Sequence, residues 1–272
     1  MLNPYRFAAA YTPTDANAAA YIAAVEAADG QTLEAGVRQA IDTVVIGCKA
    51  DGIWNAIKAS CILSGARTLA GALVPLVGTA PTNFNFVAGD YNRKTGLVGN
   101  GTSKYLNSNR NNNADPQNSQ HLSAWKTTIH NTILAGTFGA IIGAGGTSTG
   151  ASQIFRAGGV SAGLNEGARS RNTVANTPLG PEPPATGFAG LSRAAAGAYT
   201  YRTASASTSI TQASETPSSD SIFVFARNNG SGTPQGYLNS RLAFYSIGES
   251  LDLALLDARV TTLVNAIAAA IP

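Results

Sequence analysis

Gly146-Thr-Ser148-Thr-Gly150 is the stretch of this chain that comes nearest to a catalytic device, because G-x-S-x-G holds a serine on the sharp turn of a nucleophile elbow. The apolar run Ala140-Ile141-Ile142 ahead of it reads as the strand that an elbow requires. Two other requirements fail. The residues after Ser148 read as strand where a helix is needed, and both histidines, His121 and His130, precede the serine, so no later base takes its proton. The same glycines make neither a dinucleotide fingerprint nor a P-loop: Gly143-Ala-Gly145 lacks a third glycine at the right offset, and no Gly-Lys-Ser/Thr follows. His121 and His130, in or beside a strand and without a carboxylate cluster, read as ordinary polar positions.

Glycoside hydrolysis needs two carboxylates facing each other across the cleaved bond. Between Trp54 and Gly248 the chain offers Asp90, Asp115, Glu166, Glu182, Glu215 and Asp220, and the closest pair, Glu215 and Asp220, sits in a Ser/Pro-rich loop. No alternating Glu-x-Asp-x-Glu strand is present. Cys48 and Cys61, with no secretory signal before them, read as two reduced, buried thiols, and the histidines offer them no metal-ligand spacing. The residues therefore point to no catalytic, cofactor-binding or metal-ligating set, and they leave a glycan-binding set unspecified.

Composition narrows the partners. Among 272 residues, 44% are hydrophobic and only 12% charged, with Gly, Ala, Ser, Thr and Asn filling the difference. That suits many short strands of small side chains, and equally a protein buried against neighbours in an assembly. The net charge of +3 comes from scattered residues without a Lys/Arg stripe, which argues against nucleic acid. Pro4 and Arg6 interrupt the opening residues where a signal peptide needs an unbroken apolar segment, and no run reads as a membrane span.

The elements that would position any site follow from periodicity. Thr14-Asp15 caps a helix over Ala16 to Ala28 that stops at Asp29-Gly30, and a second runs from Leu33 to about Ala50 with Val37, Ile41, Val44, Val45 and Cys48 on one face. A short third helix begins near Ile53-Trp54, where Trp54 reads as a core anchor more readily than as a binding-surface aromatic. From Cys61 to about Ile247 short apolar runs alternate with Gly, Pro, Asn and Ser, which predicts a two-layer β-sandwich. Ser221 to Arg227 and Arg241 to Ile247, around an Asn-Asn-Gly-Ser-Gly turn, predict a β-hairpin. The loops Asn107 to Gln120 and Pro178 to Pro184 are placed at the surface, as plain connectors or as a polar face suited to sugars. A final helix from Glu249 to Ile271 carries the stripe Leu251, Leu255, Leu256, Val260, Leu263, Val264 and Ile267, and would dock on the N-terminal helices or on another subunit. The expected organisation is a helical segment 1–60, a sandwich 61–248 and a C-terminal helix 249–272.

The closing pattern Leu242-Ala-Phe-Tyr-Ser-Ile-Gly-Glu-Ser-Leu-Asp resembles the end of concanavalin A-like (laminin-G-like) jelly rolls, and Gly96-Leu-Val-Gly-Asn-Gly-Thr-Ser-Lys-Tyr-Leu resembles their early hairpin. Lys49-Ala-Asp-Gly-Ile-Trp-Asn-Ala-Ile-Lys and Gly65-Ala-Arg-Thr-Leu-Ala-Gly-Ala-Leu-Val-Pro-Leu are similar to a class of tailed-bacteriophage virion proteins with that fold. The resemblance implies a mainly β jelly-roll sandwich and a non-enzymatic structural protein of a tail, baseplate or head fibre. It implies synthesis in the host cytoplasm, homo-oligomers, other virion proteins as partners, no membrane, and adhesion to host-surface glycans. A carbohydrate-binding module is the alternative, and a glycan hydrolase a weaker one. Many lectins of this fold hold calcium through clustered Asp and Asn; Asp90, Asn92, Asn100 and Asp115 are dispersed in the sequence, so no calcium site follows.

Overall fold

A computed structural model describes residues 11–128, 138–158, 164–176 and 186–272. The chain opens with helices α1 (Ala16–Asp29) and α2 (Ala35–Ala50), a 3-10 turn at Trp54–Ala56, strand β1 (Ile57–Ile62) and the single-turn helix α3 (Leu69–Ala72). Then follow β2 (Thr82–Phe84), β3 (Tyr91–Asn92), β4 (Gly96–Val98), β5 (Tyr105–Asn111), β6 (Gln120–Lys126), β7 (Phe138–Ala144), β8 (Ser152–Gly158) and β9 (Leu164–Arg169). The last part holds β10 (Gly187–Arg193), β11 (Ala198–Thr203), β12 (Ala206–Thr211), β13 (Ser221–Val224), β14 (Arg227–Asn228), β15 (Pro234–Gln235), β16 (Arg241–Gly248) and helix α4 (Leu253–Ala270).

Two eight-stranded sheets face each other, as the strand pattern predicts. Sheet A runs β12-β11-β10-β6-β16-β4-β3, with β1 also paired to β16, and sheet B runs β15-β14-β7-β13-β5-β2, with β8 and β9 extending from β7. Leu122, Ala124, Leu191 and Tyr245 of sheet A meet Leu106, Ile142, Ile154 and Val224 of sheet B in a buried core. A second core lies on the other face of sheet A, where Ile62, Phe188, Ala243 and Phe244 take the apolar stripes of α1, α2 and α4. The molecule is thus three layers: helices, sheet A and sheet B.

The helices form where their caps predict. Asp15 accepts from Asn17 and Ala18 N–H at the start of α1, Gly30 closes it with φ 65°, and Asp252 accepts from Ala254 and Leu255 N–H at the start of α4. α4 docks on α2 of its own chain, close enough that a methyl group on Gly36 would stand 2.7 Å from the Ala270 Cβ. Arg259 pairs with Asp51 at 2.7 Å across the same contact. By length and composition α4 could cross a membrane, which the expectation of no such run overlooks; its Leu256, Val260, Leu263 and Ile267 are buried in the helix–sheet core instead. Leu255, expected in the stripe, is 37% exposed. Asp42 of α2 is fully buried and accepts from the Tyr11 hydroxyl, Thr14 N–H and hydroxyl, and Asp15 N–H, which locks the entry to α1 onto α2.

The expected closing hairpin does not form. β13 pairs with β5 and β7 in sheet B, whereas β16 pairs with β1, β4 and β6 in sheet A, so the chain changes sheet between them. The Asn228 to Gly232 turn joins β14 to the two-residue β15 instead, Arg227 opposite Gln235. The run Ser221 to Arg227 is interrupted because Phe225 takes φ 68°, which sends its ring into the core edge-on to Phe86 at 5.0 Å. The first strand begins at Ile57, four residues before the expected sandwich boundary at 61, since β1 spans the central β16. β2, β3 and β15, of two or three residues, are too short for periodicity to mark. His130, Glu182, the loop Pro178 to Pro184 and most of Val160 to Leu164, a run that reads as strand in the sequence, lie outside the described residues. Cys48 and Cys61 are free and buried, and burial pushes both thiols up to about 12.

The turn between β11 and β12 generates a stability prediction. Ala204 and Ser205 both hold positive φ, 47° and 61°, in a two-residue turn where Asn-Gly is the favoured pair. The double substitution Ala204→Asn, Ser205→Gly is expected to raise unfolding free energy by ~1 kcal/mol, read from urea midpoints at unchanged slope.

Candidate functional site

The strand parity that builds the sandwich also turns charged residues inward. In β6 the alternation Leu122, Ala124, Lys126 faces sheet B, and in β11 Tyr199, Tyr201 and Thr203 do the same. Glu166 of β9 lies between them: Lys126 Nζ pairs with its Oε1, and the Tyr201 hydroxyl donates to its Oε2 at 2.5 Å. Arg156 of β8 stands across the ladder from Glu166. Burial, with the Arg156 charge second, holds the Lys126 ammonium well below a free lysine. The group has an amine, a carboxylate and a phenol in contact, all buried. It ties the two sheets together, with each of its three groups already partnered.

The other acids expected as hydrolase candidates are also engaged, each with different partners. Asp90 pairs with Lys104 at 2.5 Å and accepts from Val87 N–H, and Asp115 pairs with Arg110. Glu215 accepts from Gly150 N–H and the Thr173 hydroxyl, and Asp220 accepts from Ser231 N–H. Asn92 and Asn100 turn their carbonyl oxygens onto the backbone of their own turns, Asn92 toward Lys94 and Asn100 toward Ser103. Among the described residues no group of three or more His, Cys, Asp and Glu side chains could hold a metal ion. Ser148 sits in a turn between β7 and β8 with its N–H on Gly145 O, and the chain goes on into a strand. The His121 ring is held between Glu249 O at 2.6 Å and the Ser246 hydroxyl at 2.7 Å, and burial lowers its pKa to about 4.

The Asn-rich loop is a correction. Expected wholly at the surface, it buries Asn112, Asp115 and Gln120, because Arg171 reaches under it to the carbonyls of Asn112 and Asp115. Arg193 gathers the carbonyls of Ser170, Ala195, Ala196 and Gln212 in the same way. Each guanidinium turns its terminal nitrogens onto several backbone carbonyls. No spacing in the sequence marks these arginines, since their acceptors are backbone atoms.

A ledge of about 470 Å³ opens at the edge of sheet A, beside the start of α4. Thr200 of β11 and Ser207 and Ser209 of β12 stand on its floor, with Ala198 two residues before Thr200 and Leu251 and Asp252 as its wall. Ser192 locks that wall, donating to Leu251 O at 2.8 Å and accepting from Leu251 N–H at 3.1 Å. At its rim Arg202 donates to Ser207 Oγ at 3.1 Å and is paired with Asp257 of α4 at 2.8 Å, and Asp252 is occupied at the α4 N-terminus. Hydroxyls interleaved with small apolar side chains suit an uncharged, polyhydroxyl ligand. A second groove of about 340 Å³ is lined by Asn17, Lys49 and Trp54, but Lys49 lies 5.5 Å from the indole centre and is already bonded to Asp15 and Asn17. Trp54 is half-buried against the helix–sheet core, as an anchor would be.

Two stability predictions come from the buried groups. Lys126→Met leaves Glu166 buried with its amine partner gone and is expected to cost ~3–5 kcal/mol in urea unfolding. For His121 the folded pKa lies below the unfolded value of 6.5, so its contribution is complete above that pH and is lost as pH falls from 6.5 toward 4. Wild type is expected to lose on the order of 3 kcal/mol more than His121→Gln between pH 7 and 4, measured by urea unfolding at each pH.

No family model matches the chain, and no curated protein matches it. Among solved structures it is similar to a Trypanosoma rangeli sialidase mutant displaying trans-sialidase activity, with 10% identity, 85% of this chain and 39% of that chain covered and a TM-score of 0.45. It is also similar to the binding domain of botulinum neurotoxin serotype D, with 9% identity, coverage of 79% and 52%, and a TM-score of 0.46. For the mouse laminin α1 chain domains LG4-5 the values are 12%, 66% and 47%, and 0.28. The chain spans between about two fifths and half of the length of these proteins, and at such scores no residue role passes from them to this chain.

Proposed function

We propose that this chain is a non-enzymatic holding module that binds an uncharged carbohydrate on the ledge formed by β11, β12 and the start of α4. The observation that carries the reading is the ledge itself: Thr200, Ser207 and Ser209 offer hydroxyls, the Arg202 guanidinium that donates to Ser207 Oγ at 3.1 Å is neutralised by Asp257, and Ala198 and Leu251 offer apolar surface for the C–H face of a sugar ring. The engagement of Asp90, Asp115, Glu166, Glu215 and Asp220 in ion pairs, turns and caps supports holding over cleavage.

The module serves as a structural component of a tailed-phage virion that adheres to host-surface glycans. That placement is supported by the resemblance of residues 49–58 and 65–76 to such proteins and by a composition only 12% charged, which fits burial among neighbouring subunits.

Glycan-array binding of the purified chain, with and without chelator, tests the reading. Neutral glycans are expected to bind equally in both conditions, and Thr200→Val with Ser207→Ala to weaken binding about tenfold, the worth of one or two hydrogen bonds. An array left dark by the wild-type chain would sink the carbohydrate reading.

A further inference from the structure

We infer that β12 is a subunit seam, and that the chain pairs along it, antiparallel, with β12 of a second copy. β12 ends sheet A and bonds to β11 alone. Its six residues, Ala206-Ser-Thr-Ser-Ile-Thr, include no charge, no proline and no bulge, the devices by which a sheet edge is kept from pairing. Ala206, Ser207, Thr208, Ser209 and Thr211 are exposed. The other free edges described are blunted: β2, β3 and β15 have two or three residues each, β1 carries Lys58 and is bridged at Ser60 by Val77, and β9 is bridged at Ala168 by Asn176.

The register fixes which backbone groups are free. A two-residue turn makes Thr203 and Ala206 a hydrogen-bonded pair, so Tyr201 with Thr208 and Tyr199 with Ile210 are bonded too. The donation from Gln212 N–H to Gly197 O at 2.9 Å continues the same alternation. The N–H and C=O of Ser207, Ser209 and Thr211 therefore point away from the sheet. A two-fold axis at Ser209 sets Ser207 opposite Thr211 of the second copy and Ser209 opposite itself, which closes about six backbone hydrogen bonds. The partner that fits such a self-complementary edge is the same strand, and no like charges meet across it.

Pairing also completes the ledge, and this part rests on the carbohydrate reading. On one chain the floor has a wall at α4 and an open side at β12. With strands ~4.8 Å apart, β11, β12 and their copies make a floor ~14 Å across between its outer strands, walled on both sides by α4. Ser207 and Ser209 of both copies then share one trough, wide enough for a sugar chain. A six-residue seam buries less than the ~800 Å² per partner of a standard interface, so the dimer is expected at micromolar concentrations and above.

Sedimentation equilibrium of the purified chain over ~10–300 µM tests the seam. The wild-type mass is expected to rise with concentration toward twice the 27.7 kDa of the chain. Ser209→Pro removes only an outward N–H, which an edge strand tolerates, and is expected to stay monomeric with an unchanged far-UV spectrum. Ser209→Lys sets like charges opposite each other at the axis and is expected to do the same without touching the backbone. A wild-type chain that stays monomeric throughout, or a folded Ser209→Lys that dimerises like wild type, overturns the proposal. A monomer that binds glycans would sink the seam alone, and a dimer dark on the array would sink the ligand alone.

Discussion

Sheet A is apolar on both faces, and the rest of the architecture answers to that constraint. One face closes on sheet B through Leu122, Ala124, Leu191 and Tyr245; the other, with Ile62, Phe188 and Phe244, would be open to water without α1, α2 and α4. Burying those side chains is worth ~2 kcal/mol each, so the helices are held by the sheet more than by their own propensity. The cover thins past β10, reaching β11 through the Arg202–Asp257 pair at 2.8 Å. Beyond it the outward residues become Thr200, Ser207 and Ser209, which need no cover, and the ledge begins where the helices end.

A core of small residues leaves space that this protein fills with long polar side chains. Arg156, Arg171, Arg193 and Lys126 are among its largest fully buried residues. Arg171 and Arg193 are tolerable inside because each finds backbone carbonyls in a planar arrangement, and Lys126 because Glu166 meets it from the opposite sheet. Such groups add less to stability than apolar replacements of the same shape could, but they penalise any mispairing, since a shifted strand would bury the same charges without partners.

The helices and most long strands were legible because their periods repeat over enough residues to be read: Val37, Ile41, Val44 and Cys48 in α2, or the two-residue alternation of Ala198 to Thr203. What escaped has two physical causes. Pairing between sheets is not local, so Ser221 to Arg227 and Arg241 to Ile247 read as neighbours although they enter different sheets. Bonds to backbone leave no residue-type signature, so Arg171 and Arg193 could not be told from surface arginines. Lys126 and Glu166 were within reach: each falls on the inward parity of its strand, Lys126 with Leu122 and Ala124, Glu166 with Ala168. The ledge was not legible, since serine and threonine are common throughout the chain and only the fold gathers these few.

β16 is bonded to β6 on one side and to β1 and β4 on the other, and Cys61 meets Tyr245, 184 positions further along the chain. The middle slot of that sheet is therefore filled only through contacts of very long sequence separation, whose loop entropy is lost before any ladder bond forms. Without β16, β1 has no partner strand and Ile62 and Leu122 lose the strand that lies between theirs. Sheet A is in that sense closed from a distance, by one strand that zips β1 to β6.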